Sequence, residues 1–110
     1  MRETPGRERC PVVRACWQSR RSYFYTRQGD EKSLTLGQEL ATAAVQAVPW
    51  IGFVRASLGI SHIGNGRFEK GLELIEQSKS LFPEGLRSGA RDAYEAIGLA
   101  KRWGDSEGLL

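Results

Sequence analysis

Residues 55–83 read RASLGISHIGNGRFEKGLELIEQSKSLFP, and this stretch decides the fold. Phe68, Gly71, Leu72, Ile75, Ser78 and Phe82 fall on one side at helical spacing, while Glu69, Glu73, Glu76 and Lys79 take the other faces. That is the period of an amphipathic helix, not the alternation of a strand. Ahead of it, Gly64-Asn65-Gly66 ends one helical run and lets the next begin, since glycine accepts the left-handed backbone that closes a helix. Behind it, Pro83 disfavours helical geometry in Phe82.

Working outward, the same kind of joint recurs. Arg27-Gln28-Gly29-Asp30-Glu31 and Arg102-Trp103-Gly104-Asp105-Ser106-Glu107 flank the central one, and the three turn glycines (Gly29, Gly66, Gly104) are 37 and 38 residues apart. Asp30 and Asp105 stand where a carboxylate accepts the free amides of a starting helix. Val48-Pro49 and Phe82-Pro83-Glu84-Gly85 supply the breaks between. The chain therefore parses into helices over 12–28, 31–48, 50–64, 67–82 and 86–103, with a sixth beginning near Asp105. Helix two is rich in small residues, with Ala41, Ala44, Val45 and Val48 on one side, so a neighbour can approach closely. No convincing strand pattern is present. Residues 1–11 are expected to be a flexible basic segment, broken by Pro5-Gly6, and 12–110 a single helical domain.

Arg55-x-x-Leu58-Gly59-x-x-His62, then Gly66-Arg67-Phe68, then Gly71-x-x-x-Ile75, Ser78 and Pro83, resembles one tetratricopeptide repeat. Leu58, Gly59 and Pro83 match that pattern, Gly71 and Ile75 stand for its small and aromatic positions, and Arg55 and His62 depart from its aromatic ones. Residues 86–110 and 12–48 follow it more loosely, and the spacing is similar to the longer repeats of bacterial regulators and signalling ATPases. The resemblance implies an all-α, right-handed solenoid of stacked antiparallel helix pairs, five to six helices in all. It also implies a protein-interaction module in which the first helix of each pair lines a concave groove. Helical geometry then nominates Phe53, Ala56, Ile60 and Ile63 in helix three, away from the Leu58–Gly59 contact. The corresponding face of helix five holds Asp92, Glu95, Leu99 and Arg102, and Tyr23 and Arg27 extend the groove in helix one.

A helix pair of this length cannot bury its apolar stripe alone, so neighbours must share it, and about three repeats are needed for stability. Two and part of a third are visible. The expectation is a segment of a longer array, a truncated product, or a protomer whose exposed C-terminal end associates with another copy. A regulatory fragment of a larger signalling ATPase, cyclase or transcription regulator is the alternative.

Composition fits a folded chain, with 40% hydrophobic and 26% charged residues and a net charge of +3. That charge is uneven. Residues 1–28 carry seven arginines against two glutamates, a local +5, whereas 29–110 carry nine basic and eleven acidic side chains, a local −2. The body has no field suited to wrapping a polyanion, which argues against nucleic acid as the partner. The rival lies in helix one, where Arg20, Arg21 and Arg27 beside Trp17, Tyr23 and Tyr25 mix cations with stacking surfaces as RNA-binding proteins do. The preferred account of the same residues packs the aromatics on helix two and leaves the arginines solvated.

Other chemistries find little support. The longest uncharged run, Leu40 to Val54, is too short to cross a bilayer and reads as a packed seam between helices. Neither a secretory signal nor a membrane helix is read, so the expected setting is cytoplasmic, with Cys10 and Cys16 as reduced thiols. Two cysteines six apart and one distant histidine do not make a zinc site. Gly64-x-Gly66 with Gly71 follows a helix rather than a strand, so it is a turn and not a phosphate loop. His62 has no recognisable catalytic partner and reads as a packed or hydrogen-bonded side chain. No cofactor and no enzymatic activity are expected; the expected partner is a protein or peptide.

Overall fold

The computed structural model describes residues 10–81 and 89–108, with the backbone alone at 90 and 102–108. Five helices run through them: α1 (Pro11–Gln28), α2 (Glu31–Ala47), α3 (Gly52–Gly64), α4 (Phe68–Lys79) and α5 (Gly89–Gly108). No strand occurs among the described residues.

Local chemistry sets the ends. Pro11 begins α1, where a missing N–H costs nothing because first-turn amides have no helical acceptor. Gly29 ends it with φ +81°, and Asp30 opens α2 by accepting the Ser33 amide at 3.1 Å. The Asp30 carboxyl is held below the usual carboxylate range by its side-chain hydrogen bond to Ser33. Gly66, at φ +87°, turns the chain between α3 and α4. Asn65 braces that turn, donating from Nδ2 to the Ser61 carbonyl at 2.8 Å and to Leu34 of α2 at 3.4 Å.

Between α2 and α3 the break at Val48-Pro49 is stitched from a distance. Arg55 donates from Nε and Nη2 to the Pro49 carbonyl (3.2 and 2.8 Å) and from Nη1 to Oε1 of Gln77 in α4 (3.0 Å). Arg55, on α3, thus ties the turn to α4 as well as to its own helix.

Two apolar clusters hold the helices. Ala15, Ala44, Val48 and Val54 join α1, α2 and α3, with Val45, Ile51 and Phe53 against them. Ile63, Leu72 and Ile75 join α3 to α4, with Phe68 and Tyr94 alongside. Elsewhere the contacts are small and close. Ser22 Oγ donates to the Gly37 carbonyl at 2.6 Å, and a Cβ on Gly59 would lie 2.8 Å from the carbonyl oxygen of Gly71. At such distances only glycine lets two helical backbones meet.

One joint is corrected. The expected turn at Gly104-Asp105 and the sixth helix do not form among the described residues, because α5 continues unbroken to Gly108. Interior glycine lowers helix stability by about 0.5–1 kcal/mol but does not forbid the conformation. At the joints that do form, Gly29 and Gly66 take positive φ, +81° and +87°. The break at Phe82–Gly85 and the segment 1–9 lie outside the described residues, as does the expected start of helix five at 86.

Candidate functional site: an apolar cavity between α1 and α3

α1 and α3 are neighbours, and a cavity of about 270 Å³ lies between them, lined by Ser19, Arg20 and Tyr23 from α1 and Phe53, Ala56, Ser57 and Ile60 from α3. The residues reach it through helical spacing: 53, 56, 57 and 60 recur on one side of α3, as do 19, 20 and 23 on α1. Ala56 and Ile60 form an almost fully enclosed floor, at 3% and 4% exposure, while Phe53 and Tyr23 are half-buried walls. Ser57 donates to the Phe53 carbonyl at 3.0 Å. Ser19 Oγ is buried without a hydrogen-bond partner.

Tyr23 is also where α5 reaches α1. Its ring meets that of Tyr94 edge to face, with centroids 6.0 Å apart, and the Arg27 guanidinium lies 5.8 Å from the centre of the Tyr23 ring. Burial, followed by the neighbouring Tyr23, pushes the Tyr94 hydroxyl above its usual range, opposed by the nearby Arg27 charge. Of this aromatic pair, Tyr23 lines the cavity.

The structure thus brings Tyr23, Phe53, Ala56 and Ile60 together and sets Arg27 beside them. Ile63, expected in the groove, is instead packed against Leu72 and Ile75 in the core, 3% exposed. The reason is one of phase: Ile63 lies three residues beyond Ile60, and that step carries it towards α4. Helix five shows a larger rotation. Glu95 pairs with Lys79 of α4 at 2.7 Å, so the flank that carries Asp92, Glu95 and Leu99 at helical spacing turns away from Tyr23. Asp92 pairs with Arg91 at 3.3 Å, and Leu99 is exposed; the side chain of Arg102 is outside the described ones. Tyr94 occupies the groove side. Gly59 meets its own hairpin partner α4, whereas Gly98 packs back on Leu72 and Ile63. No sequence signal links Tyr23 to Tyr94, which are 71 positions apart.

Two other depressions are less suited to an apolar ligand. One, of about 530 Å³, lies against α2, where Ala43 is joined by polar or charged side chains including Thr35, Glu39, Gln46, Asn65 and Arg67. The other, of about 480 Å³, surrounds exposed Trp50, but its cation Arg55 is already committed to three hydrogen bonds.

His62 has a structural arrangement. Its Nδ1 accepts from Arg67 Nε at 2.9 Å, so that nitrogen carries no proton; burial, then the charges of Arg67 and Lys70, hold its pKa below the ordinary histidine value. Among the described residues no three His, Cys, Asp or Glu side chains gather where they could hold a metal ion, and Cys10 and Cys16 are unpaired. No helix among them is long and apolar enough to cross a membrane. Comparison with family models, curated proteins and solved structures finds no match to this chain.

Proposed function

We propose that the chain is a non-enzymatic protein-interaction module, a tetratricopeptide-type solenoid whose concave side takes an extended or helical segment of a partner protein. The observation that carries this reading is the α1–α3 cavity. It is apolar at its floor, has aromatic walls in Tyr23 and Phe53, and has one cation, Arg20, at its edge. A few aromatic and aliphatic anchors in a concave site are what peptide recognition needs.

The order of helix contacts supports the solenoid. α1 meets α2 and α3, α3 meets α2, α4 and α5, and α4 meets α5, whereas α2 and α4 do not touch. In such an order each second helix is shared between its own hairpin and the next first helix, leaving α1, α3 and α5 along a common side. The expected setting is cytoplasmic, and no cofactor takes part.

The test is selection from a displayed random-peptide library with the full chain, followed by direct titration of the enriched sequences. Tyr23→Ala and Phe53→Ala should each weaken binding by about 30-fold, as truncation of an aromatic anchor worth about 2 kcal/mol does. Failure to enrich any peptide, or equal binding to both variants with their helicity intact, would overturn the reading.

A further inference from the structure

The outer face of α1 carries two exposed rings, Trp17 and Phe24, that the peptide reading does not use, beside Arg20, which the face shares with the rim of the cavity. Buried positions of this helix are small: Ala15, Ser19, Ser22 and Thr26 recur at intervals of four, three and four and pack inward. The opposite side therefore presents Val13, Trp17, Arg20, Phe24 and Arg27 to solvent. Trp17 and Phe24 are each 55% exposed and Val13 60%. Of the aromatics expected to pack on α2, Trp17 is left outside, while Tyr23 is half-buried against Tyr94 and Tyr25 is half-buried beside Arg21; the reason is steric. The α1–α2 seam is closed by a backbone-close approach at Gly37, where a Cβ would already lie 3.0 Å from the Ser22 carbonyl. There is no room in such a seam for an indole or a phenyl ring.

Charge accompanies the rings. α1 contains Arg14, Arg20, Arg21 and Arg27 and no acidic residue. None of these four makes an ion pair with a described residue. Arg21 lies 5.4 Å from the Trp17 ring centre and 5.5 Å from that of Tyr25, and it donates to the Tyr25 hydroxyl at 3.2 Å. The guanidinium is thereby held upright among the rings.

We infer that this face binds single-stranded nucleic acid, with bases stacked on Trp17 and Phe24 and phosphates met by Arg20, Arg21 and their neighbours. A single strand offers both surfaces the helix lacks partners for, a run of negative charge and exposed flat rings. An anionic membrane would answer the charge, but penetration needs an apolar side from which cations are segregated. Here Arg20 sits between Trp17 and Phe24 on the same stripe, and Arg21 is held against the indole. A second copy of the chain would have to bring a matching acidic surface, and the exposed side of α4 mixes Lys70 and Lys79 with its glutamates.

The experiment uses the full chain and fluorescence anisotropy with labelled oligouridylate and oligothymidylate of roughly 15 nucleotides, within the span of known single-strand sites. Four neutralised phosphates give a log–log salt slope of about −2.8, so affinity should fall roughly 50-fold between about 50 and 200 mM salt. Arg20→Gln with Arg21→Gln should make the slope shallower by about 1.4. Trp17→Ala should lose roughly 5- to 150-fold at fixed salt without changing the slope, and Trp17→Phe should restore most of that loss. Trp17 is too exposed for its removal to unfold the helix, and far-ultraviolet circular dichroism checks this. Preference for the ribose or the deoxyribose strand tells RNA from DNA. Three results overturn the inference. They are binding to phosphatidylserine vesicles without binding to either strand, a Trp17-dependent dimer with no strand affinity, and strand binding that ignores Trp17→Ala.

Discussion

Gly59→Ala tests the register of α3 on α4, from which the position of the cavity floor follows. An added Cβ would lie 2.8 Å from the Gly71 carbonyl oxygen, 2.9 Å from Ile75 Cγ1 and 3.2 Å from the Ile75 nitrogen. Two of those three neighbours are backbone atoms of α4, so no rotamer change relieves the clash and the helices must part by several tenths of an ångström. Overpacking of this kind costs about 1–3 kcal/mol, and the upper half of that range applies where backbone is struck. Alanine returns about 0.5–1 kcal/mol through better helix propensity. The net expectation is destabilisation by about 1–2.5 kcal/mol, or a melting temperature lower by roughly 5–12 °C for a chain of this size. Urea unfolding followed by circular dichroism should show a lower midpoint at unchanged slope. Gly98→Ala is the internal control, because its Cβ would meet only the side chains of Leu72 (3.1 Å) and Ile63 (3.2 Å), which can move. It should shift stability by less than about 0.5 kcal/mol. A Gly59→Ala variant as stable as the parent, or a Gly98→Ala variant hurt equally, would refute the backbone-crossing argument.

Other expectations are simpler. Ile75→Ala removes a fully buried side chain from the α3–α4 cluster and should cost about 2–5 kcal/mol in chemical denaturation. Ile60→Ala should cost a comparable amount, so replacing this floor residue does not separate binding from folding, whereas Tyr23 and Phe53, being only half-buried, allow it. Glu95→Gln breaks the contact with Lys79 across α4 and α5 and should cost about 0.2–1 kcal/mol at low salt, an effect that high salt erases. Because His62 has a lowered pKa in the folded state, the unfolded chain takes up a proton first as pH falls. Stability should then be fully present above the unfolded value near 6.5 and decline as pH drops through it towards the folded pKa, and His62→Gln should flatten that decline in pH-dependent melting.

The sequence by itself determined the helical class and four of the helix boundaries that matter most. Gly29, Asp30, Pro49 and Gly66 act through their own backbone freedom or their reach to atoms a few residues away, and such effects are local enough to be read in one dimension. Periodicity likewise placed Phe53, Ala56 and Ile60 on a shared side of α3. Rotation was what tertiary structure alone decided. Whether Gly98 faces the hairpin before it or one after it depends on which helices are present to receive it, and that choice turned Glu95 towards α4 and Tyr94 towards Tyr23. The same holds for Gly104, which lies inside the unbroken α5, and for Trp17 and Phe24. Their exclusion followed from a seam between α1 and α2 too narrow for rings, a distance that no spacing along the chain records.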